Sequence, residues 1–171
     1  MRYVWILLFV LVLFSACQEA NKQVVDPITN IGQTRVDDSW IQEPLVRLDN
    51  QQTIRVSDYV RPVALIPSST WCSVCLEQVR VLEELEVAVI LLNIDTQESD
   101  EQMRAYAQEN DLSIPVINAK DAYVEKLVKR FGYTVLNFNQ APIILRCSGT
   151  STILGGGLKN TQQIQETLRN C

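Results

Sequence analysis

Two thiols three residues apart, Cys72 and Cys75 in "SSTWCSVCLEQ", are the side chains of this sequence most open to chemistry. Such a pair can cycle between dithiol and disulfide, supply half of a four-cysteine zinc site, or sit inertly in a core. The 171 residues include no histidine, which removes zinc sites of mixed cysteine and histidine and CxxCH haem attachment. Of the other cysteines, Cys147 and Cys171 lie 24 positions apart instead of forming a second close pair, so a four-cysteine zinc site is disfavoured. No metal and no cofactor are expected. The apolar run "PVALI" before the motif reads as a buried strand, and Val79, Leu82 and Leu85 recur after it at helical spacing. A strand that gives way to a helix at Cys72 sets that thiol at a helix N-terminus, where free N–H groups and the macrodipole favour a thiolate. Cys75, one turn further in, would be about 5 to 6 Å away, within reach of a disulfide. Cys72 is therefore the expected nucleophile and Cys75 the resolving thiol, with Trp71 shielding one side of the pair.

The elements that must hold this pair follow from periodicity. "EPLVRLDNQQTIRVSDYV" alternates around Asp49-Asn50 and predicts two short strands joined by a turn. "VAVILLNI" is fit for a central parallel strand, giving strand, helix, strand around the CxxC. Ser99 with Gln102 forms a capping-box signature for a helix carrying Met103, Tyr106 and Ala107. "LSIPVIN" predicts a short strand, and Asp121 is expected to cap a helix with Val124, Leu127, Val128 and Phe131 on one face and Gly132 at its end. "APIILRC" and "STILGG" read as a hairpin, with "GGG" at 155–157 as its exit, and a last helix runs from about Thr161. Together these describe an α/β domain with helices on both faces of a sheet.

Composition bounds the rest. One domain fits the length, and 47% hydrophobic with 20% charged residues is a globular balance. A net charge of −5 with no Lys/Arg cluster argues against nucleic acid. At the N-terminus Arg2 precedes an apolar run from Tyr3 to Phe14, then Ser15, Ala16 and Cys17, the layout of an export signal and short for a permanent span. The small pair before Cys17 resembles the bacterial lipoprotein signal, although Phe14 stands where that signal prefers leucine. The resemblance implies cleavage after residue 16, a lipid on Cys17, and a polar tether over residues 17–40 ahead of a domain over 41–171. An ordinary secretory signal is the alternative.

With those elements in place, "TWCSVC" after an apolar strand is similar to the active site of the thioredoxin-like superfamily. The layout resembles most closely the extracytoplasmic, membrane-anchored TlpA/ResA-type thiol-disulfide oxidoreductases of the AhpC/TSA-redoxin clan. The resemblance implies a thioredoxin-like fold, a central mixed β-sheet flanked by helices, with an N-terminal β-hairpin and a βα insertion. It implies exchange with protein thiols and disulfides and with a redox partner protein, by a monomer held to the cell envelope through its lipid. Gln18 in place of aspartate after the cysteine tilts that expectation from the inner to the outer membrane. The family's cis-proline maps onto Pro142 in "QAPIIL", with Pro115 assigned to the inserted strand, and Ala141 before it is implied to present backbone groups to an extended substrate. Val74 replaces the proline common between the cysteines, Ile66 stands where many thioredoxins bury an acid, and Gln78 stands where the TlpA-like glutamate is expected.

Rival readings remain open at this level. A thioredoxin fold kept as a binding module would hold CxxC only as a structural disulfide. A peroxidase would need Thr three residues ahead of the reactive cysteine, whereas Thr70 is two ahead of Cys72. The acids Asp95, Asp100 and Asp111 read as solvated element ends. Along "PIILRC" the alternation puts Ile143, Leu145 and Cys147 on one face, and Cys171 follows Ile164 and Leu168 along the last helix. A structural Cys147–Cys171 disulfide is the expectation. The alternative is a small buried Cys147 and a free terminal thiol.

Overall fold

Short apolar runs build a five-stranded sheet and a separate two-stranded hairpin in a computed structural model that describes residues 38–169 apart from 61 and 86. Strands β1 (Leu45–Val46) and β2 (Thr53–Ile54) pair antiparallel as the expected N-terminal hairpin. Then come β3 (Val63–Ser68), helix α1 (Ser73–Glu83), β4 (Ala88–Asn93), α2 (Asp100–Glu109), β5 (Val116–Asn118) and α3 (Asp121–Phe131). The hairpin β6 (Ile143–Arg146) and β7 (Ser151–Leu154) and helix α4 (Thr161–Leu168) complete the order. The main sheet runs β5-β4-β3-β6-β7, with β4 parallel to β3 and β5, and β6 antiparallel to β3 and β7. The inserted α2–β5 unit occupies the sheet edge, and Pro115 precedes that edge strand.

Period two divides the core. Val63, Leu65, Ile90, Leu92 and Ile144 face one side, where Tyr123 and Leu127 of α3 cover them. Ala64, Ile66, Val89, Leu91, Ile143 and Leu145 face the other, under Cys75, Val79 and Leu82 of α1, Met103 of α2 and Ile164 of α4. Helices thus lie on both faces of a mixed sheet.

Local detail adds to or departs from the sequence reading in three places. Lys120, not Asp121, is the N-cap of α3 and makes no side-chain cap; Asp121 is the first helical residue, where its charge still favours the dipole's positive end. The Ser99–Gln102 capping box forms as expected, and a second, Asn160 with Gln163, starts α4. Trp40, placed in the tether, is fully buried with its ring edge-on to Phe131 at 5.4 Å, so the packed core reaches back to it. Among the described residues no helix is long and apolar enough to cross a membrane. The apolar run to Phe14, and Cys17 with its expected lipid, lie outside the described residues.

Candidate active site

The site forms where β3 stops. Parallel pairing in register from Val63↔Ala88 to Ser68↔Asn93 brings the ends of β3 and β4 to the same edge, the end at which open α/β sheets carry their ligands. β6 covers only Val63–Leu65, which leaves the Pro67 end of β3 free on that side and lets a residue without an N–H stand in a central strand. Beyond Ser68 the chain turns, the Cys72 N–H donating to the Ser69 carbonyl at 3.2 Å, and enters α1 with Cys72 itself as the N-cap. Cys72 and Cys75 are joined as a disulfide across a Cα–Cα distance of 5.3 Å.

Carboxylates from the loop after β4 hold the approach to the pair. Glu98 accepts from the Thr70 N–H at 2.9 and 3.0 Å and from the Thr70 hydroxyl. Asp95 Oδ2 accepts from the Trp71 indole N–H at 3.0 Å, and the other oxygen accepts from the Gln97 N–H. The Trp71 ring, 59% exposed, meets Phe138 edge-on at 5.0 Å. Asp95, expected as a solvated strand end, is therefore a bracket for Trp71. The indole bond first, then the Gln97 N–H, holds its carboxyl below the usual range. A depressed folded value makes this contribution present above the ordinary aspartate range and lost as pH falls through the lower folded value. We expect Trp71 emission to change on acidification below about pH 4, where aspartate ordinarily titrates. Asp95→Ala should start from the changed signal and lack that transition; an identical transition in the variant would contradict the bracket.

A short 3-10 turn, Phe138–Gln140, covers the other side of the disulfide. The Phe138 carbonyl oxygen lies 3.7 Å from Cys72 Sγ and 3.9 Å from Cys75 Sγ, and the Pro67 carbonyl oxygen lies 3.7 Å from Cys75 Sγ. Trp71 alone would leave one side of the pair open; with this turn in place Cys72 is 3% exposed and Cys75 fully buried. The two sulfurs are not equivalent. Once reduced, Cys75 faces two carbonyls that accept from a thiol and repel a thiolate, whereas Cys72 has the helix N-terminus and one carbonyl. The arrangement favours charge on Cys72.

Ala141 and Pro142 lie between that turn and β6, both buried. The Ala141 N–H donates to the Phe138 carbonyl at 2.8 Å, so that donor is engaged within the chain. Ala141 has φ 39°, ψ 61°; the left-handed region costs a non-glycine residue about 1–2 kcal/mol. Ile66 packs with the two cysteines, and no acid stands at that position. Gln78, one turn beyond Cys75, is buried and makes a reciprocal pair with the Lys159 main chain, Nε2 to the carbonyl at 3.1 Å and Lys159 N–H to Oε1 at 2.7 Å. Cys147 directly follows β6, is buried and is disulfide-bonded; its expected partner Cys171 lies outside the described residues. Ile164 and Leu168 of α4 pack on the face that holds Ile143 and Leu145.

Sequence reading missed the 138–140 turn, Glu98 and Lys159. "NFNQ" carries no apolar period, and the partners of the other two lie 28 and 81 residues away in the chain.

No protein-family model matches the chain, and no curated protein does. Solved structures do. A secreted Mycobacterium tuberculosis disulfide oxidoreductase homologous to E. coli DsbE aligns with a TM-score of 0.56 at 15% identity over 78% of this chain and 99% of its own. The pneumococcal exposed lipoprotein thioredoxin of Streptococcus pneumoniae strain TIGR4 gives 0.59 at 20% identity, over 75% and 98%. A thio-disulfide isomerase from Thermus thermophilus gives 0.57 at 16% identity, over 75% and 90%. The chain has the thioredoxin-like fold, with a CxxC disulfide at the strand-to-helix turn.

Proposed function

We propose that this protein is a thiol-disulfide oxidoreductase acting on protein thiols and disulfides outside the cytoplasm. The observation that carries the reading is the Cys72–Cys75 disulfide at the N-cap of α1. In the oxidising direction a substrate thiolate attacks Cys72 Sγ, the bond to Cys75 breaks, and Cys75 leaves with the electron pair and takes a proton. A second substrate thiolate then attacks the substrate sulfur of the mixed disulfide and releases Cys72 as a thiolate. Substrate is oxidised by two electrons and the pair reduced; the reverse sequence reduces a substrate disulfide. A redox partner protein resets the pair.

The N-terminal layout and the small residues before Cys17 support lipid attachment there, and Gln18 favours the outer membrane. Two structural neighbours described as secreted and as an exposed lipoprotein are in keeping with that location. Mass spectrometry of the mature protein should find the chain beginning at a lipid-bearing Cys17; an intact N-terminus would overturn this part.

For the last two cysteines we propose a Cys147–Cys171 bridge pinning α4 to the sheet. Closing a loop of that length contributes about 3 to 4 kcal/mol in the chain-entropy account. Thiol counting on the denatured, unreduced Cys17→Ser/Cys72→Ser/Cys75→Ser protein should find no free thiol, and two would end the idea.

One observation favours the binding-module reading: both sulfurs are covered. Turnover separates the two. The protein should accelerate the reduction of a model protein disulfide by dithiothreitol, or the oxidation of a reduced one, whereas inertness in both directions would leave the disulfide a staple.

A further inference from the structure

Lys159 is buried, 7% exposed, in the loop between β7 and α4. Buried ammonium groups ordinarily sit against a carboxylate, because an isolated charge out of water is costly. This one makes no ion pair among the described residues. Its Nζ donates to the main-chain carbonyls of Gln140, at 3.2 Å, and of Gly157. Burial alone pushes its pKa down, with no carboxylate to draw it back up.

The place where the charge is held matters. Gln140 ends the turn whose first residue, Phe138, lays its carbonyl against both sulfurs. A 3-10 turn rises about 2 Å per residue, so these two carbonyls are a few ångströms apart and the ammonium is on the order of 10 Å from the disulfide. Gln78 braces the arrangement from α1, one turn after Cys75, through its two bonds to the Lys159 main chain. Arg80 and Glu83 of α1 are exposed and pair with each other, and Arg146 is two residues along β6 from Ile144, which faces the α3 side of the sheet. Glu77 and Glu84 on or at the end of α1, and Glu166 and Arg169 on or at the end of α4, all lie toward solvent. Asp95 and Glu98 are engaged across the site with Trp71 and Thr70. Among the described residues, the groups left to answer the ammonium are Cys72 and Cys75, which carry no charge while they are bridged.

We propose that Lys159 is the counter-charge of the reduced pair: its ammonium stands unneutralised while Cys72 and Cys75 are bonded to each other, and is balanced by the thiolate that appears when the bond opens. The inference rests on the oxidoreductase reading and deepens it, by assigning the cation that sets how readily the pair accepts two electrons. Reduction by a dithiol delivers two electrons to the S–S bond. The dithiol closes to its own disulfide, Cys75 takes a proton, and Cys72 keeps its electron pair and negative charge whenever pH exceeds its pKa. In the disulfide the same ammonium has nothing to attract. Lys159 therefore stabilises the dithiol form over the disulfide, raising the reduction potential and lowering the Cys72 pKa. The hydrogen bonds of Lys159 reach neither sulfur, so it is a positioning charge and not a catalytic residue.

The test is the variant Lys159→Met, which keeps the apolar stem and removes the charge. In glutathione redox buffers at pH 7.5, the equilibrium constant for reducing the Cys72–Cys75 pair should fall by about tenfold, which for two electrons is about 30 mV more negative. The Cys72 thiolate titration, followed by ultraviolet absorbance in the reduced protein, should move up by about one unit. An unchanged constant together with an unchanged titration would overturn the proposal, because a residue that only packs the loop moves neither. Should the variant fail to fold, the wild-type protein decides: the Lys159 side-chain resonance should titrate at higher pH in the reduced than in the oxidised form, and the same midpoint in both would overturn it. Neither readout needs turnover. A protein that exchanges no disulfide with substrates fails the functional reading, while equal constants and midpoints fail this one.

Discussion

Cys72→Ser should bring disulfide turnover down to the uncatalysed background, and Cys75→Ser should instead accumulate a covalent mixed disulfide with the substrate. The asymmetry follows from the surroundings of the two sulfurs. Cys72 stands at the N-cap position of α1, where charge is favoured, so under the proposed function it is the sulfur expected to attack or be attacked. Cys75 lies deeper, between the Pro67 and Phe138 carbonyls, and under the proposed function it is the thiol expected to displace the substrate once the mixed disulfide has formed. Without Cys75 the intermediate has no internal resolving thiol. Non-reducing gel electrophoresis with a model substrate checks the pair of variants: a band shift with Cys75→Ser, abolished by dithiothreitol, and none with Cys72→Ser. Shifted bands of equal strength in both would mean that the roles are shared, and a shift with Cys72→Ser alone that they are reversed.

The largest effect on stability is expected at Trp40. Its ring is fully buried, and it contacts Phe131 edge-on at an interplanar angle of 72°. Truncating such a residue loses its transfer energy and leaves a cavity, about 3–5 kcal/mol for an aromatic cut back to alanine. Trp40→Phe should cost far less, because the indole N–H finds no acceptor among the described residues and phenylalanine sheds that unmet donor. Urea unfolding followed by circular dichroism measures both. If Trp40→Ala unfolds at the wild-type midpoint, the residue belongs to the tether after all.

That tryptophan also marks where the sequence was hard to read. Residues 18–38 are polar and without a sustained period, and an aromatic just past such a stretch carries no local sign of the partner, Phe131, that buries it. The strands of the central sheet were legible because burial on two faces leaves near-continuous apolar runs, and α2 because Ser99 and Gln102 announce its first turn. The CxxC was legible for a similar reason. Its position between strand and helix is a local pattern.

What surrounds the pair was not local. The Phe138–Gln140 turn reaches the sulfurs across 63 and 66 residues, and Asp95 meets the Trp71 indole across 24. Asp95 looked like a solvated strand end because nothing in its neighbourhood names the tryptophan. Gln78 could be placed one turn after Cys75, but its bonds to the Lys159 main chain depend on how α1 and the loop before α4 come together. Lysine is a poor candidate for burial on composition alone. Tertiary packing, not propensity, decides these positions.

The reduction potential of the Cys72–Cys75 pair tests the central claim most directly. Structural disulfides generally lie below about −300 mV, while dithiol oxidoreductases span roughly −120 to −270 mV. Equilibrating the protein with dithiothreitol and glutathione buffers and trapping free thiols by alkylation should give one two-electron transition above about −300 mV. A pair that stays oxidised until well below that value would be a staple, and the oxidoreductase account would be wrong.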